Sequence, residues 1–357
     1  MTAATPLKRS KTARRIRVLV FITAAWAAVA HAAGPASNNN DLQPALRDLL
    51  LRDLKFSTGE LTDLEHGKTA RHVLPSNAIG EVAVAGGVRV RATREKFLAA
   101  YRDIRRFKQG PNVVEIGRFR NPPQFDDLAP LTVTRDDVDL RDCKIGDCDI
   151  RLPAAEITRF QREVDWQRPD ADQQAAHLFK RLLFDEVNAY ASGGAGRILQ
   201  YDDDKRPVRP VDDFAGLLAN SPYFDVVAPG LGAHFSRFPN RRLDAAEDFL
   251  YWSKEKFGLT PFISVTHVVV LPEGPRQSIV ATRDVYSTRY VDASLSLAIA
   301  SDSVGDASSF YLFYINRSRA NALKGAFSKL RRSIVERRAR GSLEENLRLV
   351  KRRLEEN

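Results

Sequence analysis

Residues 262–316 read FISVTHVVVLPEGPRQSIVATRDVYSTRYVDASLSLAIASDSVGDASSFYLFYIN, and this stretch decides the fold. It contains four runs rich in β-branched and aromatic residues, at 262–271, 278–286, 289–300 and 309–316. Short segments with turn residues join them, namely Pro272-Glu273-Gly274-Pro275, Ser287-Thr288 and a polar loop around Gly305. Connections this short reverse the chain, so the sequence predicts a four-stranded antiparallel meander.

A long amphipathic helix is predicted directly after the meander. Asn316 or Ser318 supplies the N-cap, and apolar residues then recur at helical spacing along one face. They are Leu323, Phe327, Leu330 and Ile334. Gly341 interrupts this pattern, and a capping box at 342–345 predicts a second, basic helix within 341–357.

The chain ahead of the meander alternates between extended and helical patterns. After a polar tether and a helix in 33–79, valines alternate around Gly86-Gly87 and predict a strand or hairpin, followed by an amphipathic helix over 94–107. Helical spacing dominates from about 153 to 258, including a helix expected over 244–257. We expect 80–340 to form one α+β domain with 153–258 as a helical insertion. A separate helical domain is the alternative.

The first 32 residues have the composition of an export signal. Six lysines and arginines precede the apolar run Val18–Ala30, and Ala30-His31-Ala32 offers a cleavage site before Ala33. The run is short for a membrane span, so cleavage is expected rather than anchoring. Arg14-Arg15 leaves the choice between the Sec and twin-arginine routes open. The sequence therefore predicts a periplasmic or secreted protein.

Positive charge is concentrated at the two ends of the chain. Of the formal net charge of +10, residues 1–32 contribute +6 and residues 317–357 contribute +8, so residues 33–316 carry −4. This distribution argues against nucleic acid as a partner. The basic C-terminal segment is expected to be a solvated helix face. Contact with an anionic membrane surface or an acidic partner is the alternative.

The two cysteines of the chain, Cys143 and Cys148, flank a short segment with Gly146 at its turn. In an oxidising compartment this spacing favours a disulfide bond. A metal site would need more ligands, and the five histidines after residue 32 show no i, i+3 or i, i+4 spacing. The sequence predicts neither a metal nor a cofactor.

No recognised catalytic motif is present in the sequence. Gly-x-Ser-x-Gly and His-Glu-x-x-His are missing, and the glycine-rich segment 192–196 follows a predicted helix, where it is typical of a C-cap. His267 is a polar residue on an otherwise apolar strand face, because on an alternating strand it shares that face with Val265 and Val269. Such a histidine is either a hydrogen-bonded core residue or a group that holds the polar end of a ligand.

Four short blocks of the sequence resemble a group of exported bacterial proteins of unassigned function. The blocks are 143–150, 247–259, 265–270 and 310–322. They cover a minor part of the chain, and the resemblance implies no activity and no site residue.

The order of the predicted elements is similar to that of START-like lipid-transfer domains. A strand, a helix, an antiparallel meander and a long C-terminal amphipathic helix follow one another over about 80–130 and 260–340. In those domains a curved sheet grips the C-terminal helix around an apolar cavity. The resemblance therefore implies an α+β helix-grip fold, and it carries no residue-level motif.

These expectations lead to a functional hypothesis: a periplasmic binding or carrier protein for an apolar or amphipathic small molecule such as a lipid. The cavity is expected between the meander and the helix that follows it. The predicted lining residues are His267, Tyr286, Phe310 and Leu323. One alternative is an exported hydrolase or cyclase with His267 as general base and Asp248 or Glu247 as its partner. Another is an envelope interaction protein that acts through its basic C-terminal helices.

Overall fold

An eight-stranded antiparallel sheet forms the centre of the computed structural model, which describes residues 41–256, 260–272, 274–325 and 328–356. The strands are β1 (Thr69–Val73), β2 (Glu81–Val90), β3 (Val113–Arg118), β4 (Glu247–Lys256), β5 (Pro261–Leu271), β6 (Gln277–Ser287), β7 (Ala293–Asp302) and β8 (Phe310–Arg319). Their order across the sheet is β1-β2-β8-β7-β6-β5-β4-β3. The predicted signal at 1–32 and Phe327 lie outside the described residues.

The predicted meander is confirmed as strands β5 to β8. Each of these strands pairs antiparallel with the next one along the chain. β2 pairs with β8, so the first long strand closes the far side of the meander. Because both faces of the central strands are covered, nearly every residue of β5 and β7 is buried.

Helices cover both faces of the sheet. They are α1 (Pro44–Arg52), α2 (Thr58–Glu65), α3 (Arg94–Arg102), α4 (Ile104–Phe107), α5 (Ala154–Glu163), α6 (Ala171–Gly193), α7 (Pro210–Ala219), α8 (Tyr223–Val227), α9 (Leu231–Arg237) and α10 (Ser328–Glu356). One face, to which Leu297 and Phe313 point, packs against α1, α2 and α5–α9, and we call it the insertion face. The opposite face, to which Val268 and Leu312 point, packs against α3 and α10, and we call it the α10 face.

The helical block of the middle region lies between two neighbouring strands. β3 pairs with β4 although α5–α9 separate them in sequence. The block therefore begins and ends at one edge of the sheet, and its core side chains pack on strand residues such as Trp252 and Val265.

The helix expected over 244–257 is wrong, because 247–256 is strand β4. β4 pairs with β5 along its whole length. Phe249 and Tyr251 face the α10 face, whereas Leu250 and Trp252 face the insertion face. A strand buried on both sides is a short continuous apolar run, and such a run has no period that distinguishes it from a buried helix.

The two cysteines form the predicted disulfide bond. Cys143 and Cys148 have a Cα–Cα distance of 4.6 Å, and the turn between them uses Gly146 at a φ of +78°. The backbone N–H of Cys148 donates to the carbonyl of Asp203 at 2.9 Å. The disulfide loop is thus fastened to the segment that precedes α7.

The C-terminal helix is continuous, and the interruption expected at Gly341 does not occur. Leu343, Leu347 and Leu354 of α10 pack on the sheet, whereas Leu330 and Ile334 are more than half exposed. Ile334 lies nine residues before Leu343, which is two and a half helical turns, so the two side chains point in opposite directions. Among the described residues no helix combines the length and the apolar character needed to cross a membrane.

Candidate functional site

The α10 face of the sheet changes from apolar to polar along its strands. Toward α3 it presents Val268, Val280, Ala298 and Leu312. Toward the opposite end of the same strands it presents hydroxyl, amide and carboxylate groups, which we call the polar floor. The polar floor consists of Thr266, Thr282, Asp284, Ser294, Ser296, Tyr314, Asn316 and Ser318.

Strand register brings these polar side chains together across four strands. Thr266 of β5 stands opposite Asp284 of β6. Thr282 stands opposite Ser296 of β7, and Ser296 stands opposite Asn316 of β8. Side chains directly opposite each other in an antiparallel pair lie about 5 Å apart at Cβ. The polar floor is therefore one continuous patch.

A hydrogen-bond network fixes the β7 and β8 side of the polar floor. Asn316 Nδ2 donates to Ser294 Oγ at 3.0 Å and to Ser296 Oγ at 2.9 Å. The Tyr314 hydroxyl donates to Ser296 Oγ at 2.9 Å. Ser318 Oγ donates to Asn316 Oδ1 at 2.8 Å. Ser296 Oγ is thus the point at which the Tyr314 and Asn316 side chains meet.

A group of ionisable side chains lies on the β4 to β6 side of the polar floor. Thr266 Oγ1 donates to Asp284 Oδ1 at 3.1 Å. Burial raises the pKa of Asp284 to about 6, in spite of this hydrogen bond and of the Lys108 charge. Asp284, which is half-buried on the α10 face, therefore has a pKa well above that of an ordinary aspartate.

Lys108, which directly follows α4, borders the same patch with a paired charge. Its ammonium contacts the Glu255 carboxylate and lies 5.2 Å from the centre of the Tyr251 ring. Burial opposes the charged form of Lys108, but Glu255 raises its pKa, and the same ion pair lowers the pKa of Glu255. Ser253 Oγ also donates to Glu255 at 2.6 Å. The Lys108–Glu255 ion pair therefore places one positive and one negative group at this edge of the polar floor.

The structure does not bring the four predicted lining residues together. His267 and Tyr286 belong to the insertion face, and the Tyr286 hydroxyl donates to the carbonyl of Arg151 at 2.9 Å. Phe310 lies on the α10 face, where its ring is 5.8 Å from that of Phe97. Leu323 is buried in a short 3-10 turn ahead of α10.

Sequence reasoning missed the polar floor, although a signal was present. In the run ASLSLAIA at 293–300, serine alternates with leucine, and Thr282 with Asp284 and Asn316 with Ser318 repeat the same period of two. Two-residue spacing places each pair on one face of a strand. Aligning the strands required the register, which only the structure gives.

His267 belongs to a second polar cluster, on the insertion face. Its Nε2 lies 2.8 Å from Asp248 Oδ1, and His234 Nε2 lies 2.7 Å from the same oxygen. His267 Nδ1 lies 2.7 Å from the hydroxyl of Tyr190. We call His234, Asp248 and His267 the His–Asp–His cluster.

The protonation states in this cluster follow from its burial and its hydrogen bonds. Burial would raise the pKa of Asp248, but hydrogen bonds from the two imidazoles lower it below its usual range. Burial lowers the pKa of His267 against the influence of Asp248. Asp248 is therefore a carboxylate, and neutral His267 donates from Nε2 while Tyr190 donates to its Nδ1.

These contacts bear on the alternative of His267 as a general base. Asp248 is its hydrogen-bond partner, but Tyr190 already occupies the second ring nitrogen. Glu247, the other proposed partner, is half-exposed and pairs with Arg102 instead. A substrate proton can reach His267 only if one of the two existing hydrogen bonds is broken.

The basic half of α10 has its own set of contacts. Arg332 pairs with Glu336 at 2.7 Å and donates to the carbonyl of Ser76. Arg331 donates to the carbonyl of Lys324. Of these contacts, the bond from Arg332 to Ser76 fastens the N-terminal half of α10 to the chain ahead of β2.

Comparisons with protein-family models, with curated proteins and with solved structures found no match to this chain.

Proposed function

We propose that this protein is an exported binding or carrier protein for an amphipathic small molecule, such as a lipid, held on the α10 face of its sheet. The observation that carries the proposal is the division of this face into an apolar half and the polar floor. A ligand with an aliphatic tail and a hydrogen-bonding head group matches such a surface.

The placement of the helices supports a binding site on this face. α10 lies against β1 and β2, whereas α3 lies against β6 and β7 and α4 lies against β3. α10 and α4 therefore lie toward the two edges of this face, and α3 lies over its central strands. The order strand, helices, meander and long C-terminal helix is also the order on which the resemblance to START-like helix-grip domains rests.

The two halves of the face would contribute differently to binding. Burial of a ligand tail on Val268, Val280 and their neighbours contributes about 25 cal/mol per Å² of apolar surface. Hydrogen bonds with side chains of the polar floor would orient the head group.

Binding is tested by native mass spectrometry of the full-length protein, purified from a bacterial host without detergent. A dansyl-labelled fatty acid serves as the probe for binding in solution. Asn316→Leu removes the donor that bridges Ser294 and Ser296 while nearly keeping the side-chain volume. Asn188→Leu makes the same change on the exposed surface of α6 and is the matched control.

We expect the wild type and the Asn188 variant to carry a stoichiometric small molecule and to bind the probe. We expect Asn316→Leu to weaken binding of the probe by at least tenfold, with an unchanged circular dichroism spectrum. A wild type that carries no small molecule and binds no probe would contradict the proposal. Equal binding of the probe by both variants would show that the binding site does not include Asn316 and the polar floor.

A further inference from the structure

The His–Asp–His cluster offers three ligand atoms that converge from separate elements. His234 comes from α9, Asp248 from β4 and His267 from β5. Their nearest ligand atoms all lie within 4.8 Å of one another, and among the described residues this is the group with the composition and spacing to hold a metal ion. From these observations we infer that the cluster is a binding site for a divalent transition-metal ion, with Zn²⁺ as the best fit.

The distances require only small movements to admit an ion. Zinc binds imidazole nitrogen and carboxylate oxygen at about 2.0 to 2.2 Å, so ligand atoms around a tetrahedral ion stand about 3.3 Å apart. In the cluster both Nε2 atoms already lie within 2.8 Å of Asp248 Oδ1. To admit an ion, each Nε2 must therefore move away from Asp248 Oδ1 by roughly 0.5 Å.

The donor set selects the kind of ion. Two imidazoles and one carboxylate suit zinc and other borderline transition metals, whereas calcium and magnesium prefer oxygen ligands. The two cysteines of the chain form a disulfide bond with each other, so the ligands of this site are nitrogen and oxygen atoms. Three protein ligands leave at least one coordination position for water.

The surroundings orient the His267 imidazole as a metal site requires. The Tyr190 hydroxyl lies 2.7 Å from His267 Nδ1 and accepts the Nδ1–H when Nε2 binds an ion. The ring of Phe238 lies 4.4 Å from the His267 ring, and Phe235 packs on it at 5.4 Å. These contacts restrict rotation of the His267 ring and hold its Nε2 toward Asp248.

Access and charge set the expected affinity. Both histidine side chains are fully buried, but 16% of the Asp248 side chain is exposed, so an ion enters from the carboxylate side. The Arg283 guanidinium lies near the cluster, donates to the carbonyl of Phe235 and disfavours a second positive charge. We therefore expect micromolar affinity for Zn²⁺ rather than the much tighter binding of structural zinc sites.

The competing arrangement is a purely structural one, in which both Nε2–H groups donate to Asp248 and no ion binds. Calorimetric titration with ZnCl₂ separates the two, using the full-length protein without a polyhistidine tag. Titration with CoCl₂, read by visible absorbance, reports the coordination of the ion. X-ray absorption at the zinc edge of the wild type identifies the ligands even if a variant fails to fold.

The variants Asp248→Asn and His234→Gln remove one ligand each, and His72→Gln is the matched control. His72 also pairs with a carboxylate, at 2.9 Å from Glu60, but lies outside the cluster. Circular dichroism verifies the fold of every variant. The site lies on the opposite face from the polar floor, so binding of the dansyl probe tests the two proposals separately.

We expect the wild type and His72→Gln to bind one Zn²⁺ per chain with imidazole ligands, and both cluster variants to bind at least tenfold more weakly. A wild type that binds Zn²⁺ with a dissociation constant above about 100 μM, or not at all, would overturn the inference and favour the structural network. Equal binding by wild type and cluster variants, or a zinc spectrum without imidazole, would overturn it as well.

Discussion

At the scale of single residues, Glu186 stands out as a buried carboxyl on α6. Its side chain packs within the core under the insertion face, and Oε1 has no hydrogen-bond partner among the described residues. Burial raises the pKa of Glu186 to about 8, and the negative charges of Glu156 and Asp185 add to this effect. The folded protein therefore keeps Glu186 protonated at a pH where the unfolded chain has released the proton.

This carboxyl makes stability depend on pH. Because the pKa is higher in the folded state, its contribution to stability is fully present below about pH 4 and is lost as pH rises toward 8. Glu186→Gln removes the titration, so we expect it to raise the free energy of unfolding at pH 8 by on the order of 2 to 4 kcal/mol. Urea denaturation at pH 5, 6.5 and 8 measures this.

Glu163→Gln, an exposed change on α5, is the control and should leave the pH profile of the wild type unchanged. If Glu186→Gln retains the wild-type slope of stability against pH, the carboxyl is solvated rather than buried.

The His–Asp–His cluster shows why the sequence alone did not predict which histidines lie together. The imidazoles of His234 and His267 meet at one carboxylate although they belong to a helix and a strand far apart in sequence. Spacing rules detect ligands only within one helix or hairpin. The sequence analysis named Asp248 as a partner of His267, but His234 could be added only after the structure placed α9 beside β4 and β5.

At the scale of elements, the docking of α10 depends on which face of the helix meets the sheet. Leu343 and Leu347 approach β2 at Gly86, where an added Cβ would lie 3.0 Å from Leu347 and 2.8 Å from the carbonyl of Ala70. The glycine in β2 thus permits the close approach of the helix. The two apolar side chains on the N-terminal half of α10, Leu330 and Ile334, point away from this contact.

Two truncations on α10 test this orientation. Leu347→Ala removes a buried side chain, so we expect a loss of about 2 to 4 kcal/mol in the free energy of unfolding. Ile334→Ala truncates an exposed side chain, so we expect a change below about 0.5 kcal/mol. Chemical denaturation of both variants gives the comparison. A reversed order would mean that the face carrying Leu330 and Ile334 is the one that docks.

Element prediction from the sequence succeeded where the pattern had a single reading. Four strands with short turns could form only a meander, and α3 and α6 had clear apolar stripes. Element prediction was wrong about the C-terminal helix, which begins at Ser328 instead of after Asn316 or Ser318 and docks through Leu343 and Leu347. It failed at β4, where Phe249, Leu250, Tyr251 and Trp252 form an unbroken apolar run. Tertiary pairing with β3 and β5 decided the conformation there.

At the scale of the whole molecule, a buried ion pair network joins the sheet to the helical block. Glu81 of β2 contacts Arg317 of β8 at 2.7 Å and accepts from Asn220, which directly follows α7, at 2.7 Å. Arg319 bridges the same glutamate to Asp213 of α7. Glu81 is fully buried, so these partners replace its solvation by water.

Neutralising Glu81 should affect the sheet and the helices together. Glu81→Gln leaves Arg317 buried without its counter-charge, and we expect it to lower the free energy of unfolding by about 3 to 5 kcal/mol. Far-ultraviolet circular dichroism and tryptophan fluorescence, followed in parallel during unfolding, should shift by the same amount. The exposed change Glu95→Gln is the control. Separation of the two transitions would show that the helical block unfolds independently.

The pairing of β2 with β8 has a consequence for how the chain reaches its fold. β2 pairs with its second neighbour, β8, only when residues near 319 are available, and the edge strand β3 pairs only when β4, beyond the whole helical block, is available. Contacts between sequence-distant segments carry a high loop-closure entropy, and folding is correspondingly slow. The sheet can therefore be completed only after nearly the entire chain has been synthesised.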